Sequence, residues 1–262
     1  MEILDVEHIS GGYNQEIILQ DISFNVIQGE FIGIIGPNGS GKSTLLKTIS
    51  RVLVPQHGTI TFEGKNIYTI NLKEFCRKVA NVSQNIQIEF PYTIEEIVLM
   101  GRIPHLNRLQ ITRVQDLHAC EQAMIFTDIM HLKTKRIDQI SSGERQRVFM
   151  AKALAQEPVL MLLDEPTSHL DIGHQVQILN LLKKLNKKNK VTIVVVLHDL
   201  NLASEYCERL ILLDQGKIHS SGKPDEVLTY QNIESVYKTI VVVNKNPISS
   251  KPYVLLVSGE RN

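Results

Sequence analysis

Gly36-Pro37-Asn38-Gly39-Ser40-Gly41-Lys42-Ser43-Thr44 follows directly on the apolar run Phe31–Gly36 and leads into a helical pattern, Ser43–Arg51. The stretch matches GxxxxGK[ST], and strand, glycine-rich turn and helix in that order are the context in which the pattern binds phosphate. The glycines let successive backbone N–H groups curl round a β-phosphate and set it at a helix N-terminus. Lys42 adds a point charge, and the Ser43 hydroxyl can ligate Mg²⁺. A chance glycine turn would bring neither the strand before it nor the helix after it.

A phosphate-binding loop (P-loop) needs an acidic partner at the end of a neighbouring strand. Val159-Leu160-Met161-Leu162-Leu163-Asp164-Glu165 supplies an apolar run and then two carboxylates. Asp164 is expected near Mg²⁺, and Glu165, one residue further, is placed to polarise a water for in-line attack on a γ-phosphate. Phe31–Gly36, Val159–Asp164, Val191–Leu197 and Leu210–Asp214 are short runs rich in Ile, Leu and Val, of the kind buried on both faces. They alternate with helical patterns such as Ile172–Lys188 and Leu200–Tyr206, the mark of an α/β protein with a mainly parallel sheet. Residues 2–9 and 57–69 alternate apolar and polar positions and predict antiparallel strands beside that core.

From about Phe90 to Lys133 the reading changes. Thr93–Met100 and Thr112–Met130 look helical with no buried strand between them, so an inserted helical subdomain is expected. Its connecting loop, Gly101–Ile111, holds Pro104 and several polar residues and is expected on the surface. The predicted fold is a P-loop NTPase core, about 1–89 and 158–262, with an antiparallel β subdomain and a helical subdomain at about 90–157. Val241–Val243 and Tyr253–Val257 read as two short strands joined by a turn-rich loop, with no role beyond the fold's edge.

Composition narrows the partners. Lys plus Arg is 28 and Asp plus Glu is 28 in 262 residues, which argues against a nucleic-acid backbone as main partner. With 43% hydrophobic residues, 15 Gly and 9 Pro, the chain is neither disordered nor collagen-like. The apolar runs fall far short of the ~20 residues that cross a bilayer, and Met1 leads into an acidic segment, so neither a span nor a leader is expected. Cys76, Cys120 and Cys207 are scattered and form no CxxC pair, so no disulfide framework or zinc site is indicated.

Together these residues resemble the nucleotide-binding subunits of ATP-binding cassette (ABC) transporters over essentially the whole chain. Tyr13 in Gly11-Gly12-Tyr13 resembles the family's adenine-stacking aromatic, and Gln84 resembles the glutamine that joins the Mg²⁺ and water site to the helical subdomain. Ile140-Ser141-Ser142-Gly143-Glu144-Arg145-Gln146-Arg147 resembles the signature LSGGQ at the start of a helix, Glu144–Ala155. Ser168-His169-Leu170-Asp171 matches the D-loop, and His198, after Val191–Leu197, matches the switch histidine. One position departs: Ser142 stands where the family carries the first signature glycine. Its added Cβ either hinders close approach of a nucleotide or supplies another hydroxyl.

Residues Phe90–Arg102 and His198–Arg209 look like the branch that energises uptake of ferric siderophores, haem or cobalamin. The resemblance implies an ATPase that uses ATP and Mg²⁺ and pairs as a homodimer, with each ATP held between the P-loop of one copy and the signature of the other. It implies a cytoplasmic protein, peripheral on the inner face of the membrane, with a separate polytopic permease and, through it, an external substrate-binding protein. Glu165, His198 and Gln84 would organise hydrolysis. Apolar residues between Phe90 and Arg102, Ile97 and Leu99 among them, would dock on the permease. The alternative is a soluble ABC ATPase acting in cofactor assembly or regulation without a permease; a DNA-repair ABC ATPase is disfavoured by the neutral charge and the lack of a long coiled-coil insertion.

Overall fold

A computed structural model describes residues 1–14, 16–84, 88, 90–106 and 112–258. The chain divides into two compact units, Met1–Thr69 with Thr192–Asn262, and Ile70–Val191. The first opens with β1 (Glu2–Gly11) and β2 (Leu19–Ile27), an antiparallel pair. Along β2 the residues Ile22, Phe24 and Val26 are buried and those between them exposed, the period of two of a sheet with one solvated face. β3 (Phe31–Ile35) is buried at every position, as expected of a strand covered on both faces. After it come α1 (Lys42–Ile49), then β4 (His57–Phe62) and β5 (Lys65–Asn66), which complete a sheet in the order β2-β1-β4-β5.

The second unit begins with α2 (Leu72–Lys78), capped by the Asn71 side chain, and β6 (Val79–Val82). Then follow α3 (Ile94–Leu99), a 3-10 helix at Met100–His105, α4 (Val114–Phe126) and α5 (Ser142–Ala155). Thr93 and Glu96 close a capping box at the start of α3, satisfying two backbone donors that would otherwise lack partners. β7 (Leu160–Asp164), buried throughout, pairs in parallel with β6 and leads to α6 (Ile172–Asn189).

The chain then returns to the first unit. β8 (Thr192–Val196), α7 (Leu200–Tyr206), β9 (Arg209–Asp214), β10 (Lys217–Gly222), α8 (Pro224–Val227) and α9 (Tyr230–Tyr237) are followed by a hairpin, β11 (Val241–Lys245) and β12 (Pro252–Leu256). β3 lies between β8 and β9, parallel to both, and β10 adds antiparallel to β9. The fold class is therefore the expected α/β one: mainly parallel core strands, an antiparallel sheet, and helices inserted between β6 and β7. No helix among the described residues is long and apolar enough to cross a membrane.

Two expectations fail. Gly101 and Arg102, expected in a surface loop, are buried in the 3-10 helix; residues 107–111 of that loop lie outside the described residues. Gly101 is there because a Cβ would stand 2.1 Å from the Lys152 carbonyl oxygen, and Arg102 because it is ion-paired. Ile97, expected on a docking face, is 0% exposed. Its side chain belongs to the core that α3 forms with α4 and α5. The exposed apolar residues nearby are Phe90 (65%), Ile103 (62%) and Tyr92 (36%).

Candidate active site

In the first unit, β3 delivers the chain into Gly36–Thr44. Gly36 has φ +149°, and a Cβ there would lie 2.2 Å from the Leu213 carbonyl oxygen, so only glycine lets the loop turn off the strand. Gly41 caps α1 in the left-handed conformation. Asn38 and Gly39 are exposed at the loop's crest, Pro37 is half-buried, and Thr44 is buried in the first turn of α1 beside the half-buried Ser43. Lys42 is 5% exposed, and its ammonium donates to the carbonyl oxygens of Gly36 (3.0 Å) and Pro37 (2.8 Å). The cation is thus held over the loop itself, near the amides that face a phosphate. Tyr13 is 37% exposed with the Lys47 ammonium 5.5 Å from its ring centroid, which ties the aromatic to the P-loop helix. His198 is exposed between β8 and α7.

Two hydroxyls here are buried without a hydrogen-bond partner among the described residues: Ser40, which the sequence places in the loop, and Tyr237, which sequence reasoning missed. The Tyr237 hydroxyl, at the end of α9, is buried beside the Gly36 amide without closing a bond of normal geometry, and burial pushes its phenol up to about 12. Tyr237 lies about two hundred residues from the loop, and no local pattern points to it.

In the second unit, Asp164 ends β7 at 9% exposure, and Glu165 follows at φ +50°, a left-handed conformation that a non-glycine residue keeps only when its surroundings hold it. The Ser168 amide donates to the Glu165 carbonyl (3.1 Å), closing the turn. One carboxylate oxygen of Glu165 accepts from Gln84 Nε2 at 2.5 Å and from the Ser168 hydroxyl at 2.8 Å. The structure therefore brings Gln84, Glu165 and Ser168 together, and Ser168 is a member of this cluster that its motif position alone did not assign.

The signature segment starts α5. The Ser141 hydroxyl accepts from the Glu144 amide and donates to Glu144 Oε2 at 2.7 Å, while the Ser141 amide donates to the same oxygen at 2.8 Å. These bonds hold the Glu144 carboxyl below its ordinary range. Ser142 is exposed in the first turn. Gly143 is buried, and a Cβ there would stand 2.5 Å from Cδ2 of His174. That ring is fixed by Asp171, which accepts from the His174 amide (2.8 Å) and pairs with Nδ1 (2.7 Å); the same two bonds lower the Asp171 carboxyl. Gly143 is thus required by the imidazole of the D-loop helix. We expect Gly143→Ala to destabilise the protein by roughly 1–3 kcal/mol, the cost of overpacking. His174→Ala should recover most of that loss in chemical denaturation; no recovery would remove the ring as its cause.

Residues 19–168 match the family described as ABC transporter. The chain is 40% identical over 249 residues to the ferric enterobactin transport ATP-binding protein FepC of Escherichia coli (strain K12), covering 95% of this chain and 92% of that one. It is 35% identical over 264 residues to the iron(3+)-hydroxamate import ATP-binding protein FhuC of Bacillus subtilis (strain 168), covering 100% and 98%. Among solved structures, a transporter assigned to the metal-chelate type, in an inward-facing conformation, superposes with a TM-score of 0.86 at 28% identity, covering 98% and 97%. A dimeric, post-hydrolysis ATP-binding cassette bound to ADP and Pi superposes with a TM-score of 0.73 at 29% identity, covering 85% and 99%. On these grounds the chain belongs to the ABC transporter family, as one of its ATP-binding, ATP-hydrolysing subunits.

Proposed function

We propose that this subunit works as a homodimer on the cytoplasmic side of a separate polytopic permease, where ATP hydrolysis drives import of a metal chelate, a ferric siderophore in first place and haem or cobalamin next. The relatives named for ferric enterobactin and iron(3+)-hydroxamate, matched along nearly their whole length, support that substrate class. An external substrate-binding protein would deliver the chelate to the permease.

The observation that carries the hydrolytic part is the Gln84–Glu165 hydrogen bond. In this reading the amides of Gly36, Asn38, Gly39, Ser40, Gly41, Lys42, Ser43 and Thr44 and the Lys42 ammonium bind the phosphates, Pro37 shapes the loop without a donor of its own, and Tyr13 lies against the adenine. Water attacks the γ-phosphorus in line, its proton passes to the Glu165 carboxylate, and the bond to the β-phosphate oxygen breaks to release ADP. Gln84 orients Glu165 and the water, and His198 donates to the γ-phosphate. Ser141, Ser142, Gly143 and Glu144 would meet the nucleotide of the opposite copy at the start of α5.

Ser43, Asp164 and Gln84 offer a hydroxyl, a carboxylate and an amide oxygen, hard donors that suit Mg²⁺. The Gln84 amide nitrogen is engaged by Glu165, which leaves its carbonyl as the ligand end. Held by these residues, Mg²⁺ would neutralise charge on the β- and γ-phosphate oxygens.

Among the described residues from Phe90 to Ile103, Phe90, Tyr92 and Ile103 are exposed apolar side chains that a permease could cover, Phe90 and Tyr92 lying edge to face with centroids 6.1 Å apart. Phe90→Asp or Ile103→Asp should abolish co-purification of a polytopic membrane protein, while the ATPase rate of the isolated subunit changes by less than about twofold. Retained association in both variants would refute this docking face. Absence of any membrane partner for the unaltered protein would favour the permease-free alternative.

A further inference from the structure

The hairpin β11–β12 lies beyond residues 19–168, which match the family, and it grips one helix. On α7 the side chains of Asn201, Ser204 and Glu205 recur at the i, i+3, i+4 spacing of one face. Asn201 Nδ2 donates to the Val254 carbonyl (3.2 Å), and the Val254 amide donates back to Asn201 Oδ1 (2.7 Å). Val254 therefore turns both its backbone groups away from β11, and the Asn201 amide closes the open edge of β12 as a further strand would.

The grip continues along the helix. The Ser204 hydroxyl, on a residue 1% exposed, donates to the Pro252 carbonyl at 2.7 Å. Lys251 Nζ donates to the carbonyls of Ser204 (2.9 Å) and Glu205 (2.7 Å) near the end of α7, and the Ser249 hydroxyl donates to Glu205 Oε2 at 2.8 Å. Side-chain bonds thus run from the first turn of α7 to its last.

What α7 carries at its N-terminus gives the grip a purpose. Asp199 caps the helix, accepting from the amides of Asn201 (2.8 Å) and Leu202 (2.9 Å), and His198 immediately precedes it. On its other side His198 is tied to β8, whose extension donates from the Leu197 amide to Ile34 of β3 at 3.1 Å. His198 therefore sits on a two-residue link between a fixed strand and a helix whose position the hairpin sets. We propose that Asn201 is a positioning residue for His198, and that the C-terminal hairpin, acting through Asn201 and Ser204, holds the histidine where the γ-phosphate is met. The proposal rests on the reading of His198 as a γ-phosphate donor.

Steady-state ATPase kinetics on the full-length protein test it with His198→Ala, Asn201→Ala, Ser204→Ala and the doubles that combine each with His198→Ala. Asn201→Ala should lower kcat about fivefold with KM for ATP within about twofold, because a displaced histidine costs transition-state contact and not nucleotide binding. Ser204→Ala should lower kcat less. In the His198→Ala background both losses should shrink to under about 1.5-fold, the non-additivity of residues acting through one another. A merely structural hairpin would give equal losses in both backgrounds, and that result overturns the proposal, as does an unchanged kcat in Asn201→Ala. If His198→Ala itself turns over ATP at the unaltered rate, the role of His198 falls first. If His198→Ala is slow and Asn201→Ala is not, only the positioning claim falls.

Discussion

Glu165→Gln is expected to lower ATP turnover by on the order of 10² or more while ATP binding persists. The substitution keeps the size of the side chain and its capacity to accept from Ser168, so the turn at φ +50° has no new reason to open. What is lost is the basic oxygen. In the unaltered protein one carboxylate oxygen accepts two hydrogen bonds, from Gln84 and Ser168, which fixes the plane of the carboxylate proposed to take a proton from water. A neutral amide in that place can orient water but cannot accept its proton. In the proposed cycle hydrolysis reopens a closed pair, so the variant should accumulate as an ATP-bound dimer in size-exclusion chromatography, whereas the unaltered protein remains largely monomeric under turnover. Hydrolysis at near the unaltered rate would remove Glu165 from the role of base.

The parts of this site that are legible in the sequence are those contiguous in it. Gly36–Thr44 announces itself because a phosphate is bound by successive amides of one short loop, so its requirements are written in nine consecutive residues. Val159–Glu165 is legible for a similar reason: a strand buried on both faces is an unbroken apolar run, and its end marks the edge of the sheet. The strand β2 alternates from Ile22 on, yet the two consecutive polar residues Gln20-Asp21 interrupt its pattern and hide it; α8 and α9 are too short for a helical period to stand out.

Relations between distant segments show in no local pattern; only the family resemblance groups Gln84 with Glu165. That Gly143 must be glycine because His174 lies against it depends on two helices meeting. Nothing at Gly143 says so. Gln84 and Glu165 are 81 residues apart, and their hydrogen bond exists because β6 and β7 are neighbours in register. The same holds for Arg102, which its polar surroundings in the sequence assign to a surface loop and which its partners draw inside.

Those partners make Arg102 the site of the largest expected loss of stability. Its Nε donates to Asp116 Oδ1 at 3.0 Å, and Nη1 donates to the Ala155 carbonyl and to Glu157 Oε2, both at 2.6 Å. Arg102 and Asp116 are each 5% exposed, so the guanidinium is the countercharge of a buried carboxylate and the cap of a helix-terminal carbonyl at once. Arg102→Met fills much of the volume but removes both functions, and stranding a buried charge costs about 3–5 kcal/mol. Burial by itself would raise the Asp116 carboxyl, but the Arg113 amide and the Arg102 guanidinium together hold it below the ordinary range. A depressed folded pKa contributes stability that is present above the unfolded carboxylate pKa and lost as pH falls through the folded one. In Arg102→Met the burial is left with less to oppose it, so the carboxyl rises, and the penalty sits at neutral pH and shrinks at mildly acid pH as the group takes up a proton. Replacing Asp116 with Leu in the same variant should restore a large part of the loss at neutral pH, because the uncompensated charge is then gone. Urea denaturation of the two variants at both pH values tests the argument: a penalty that is independent of pH, or that the second replacement leaves in place, would mean that the Arg102 side chain acts by packing and not by its charge.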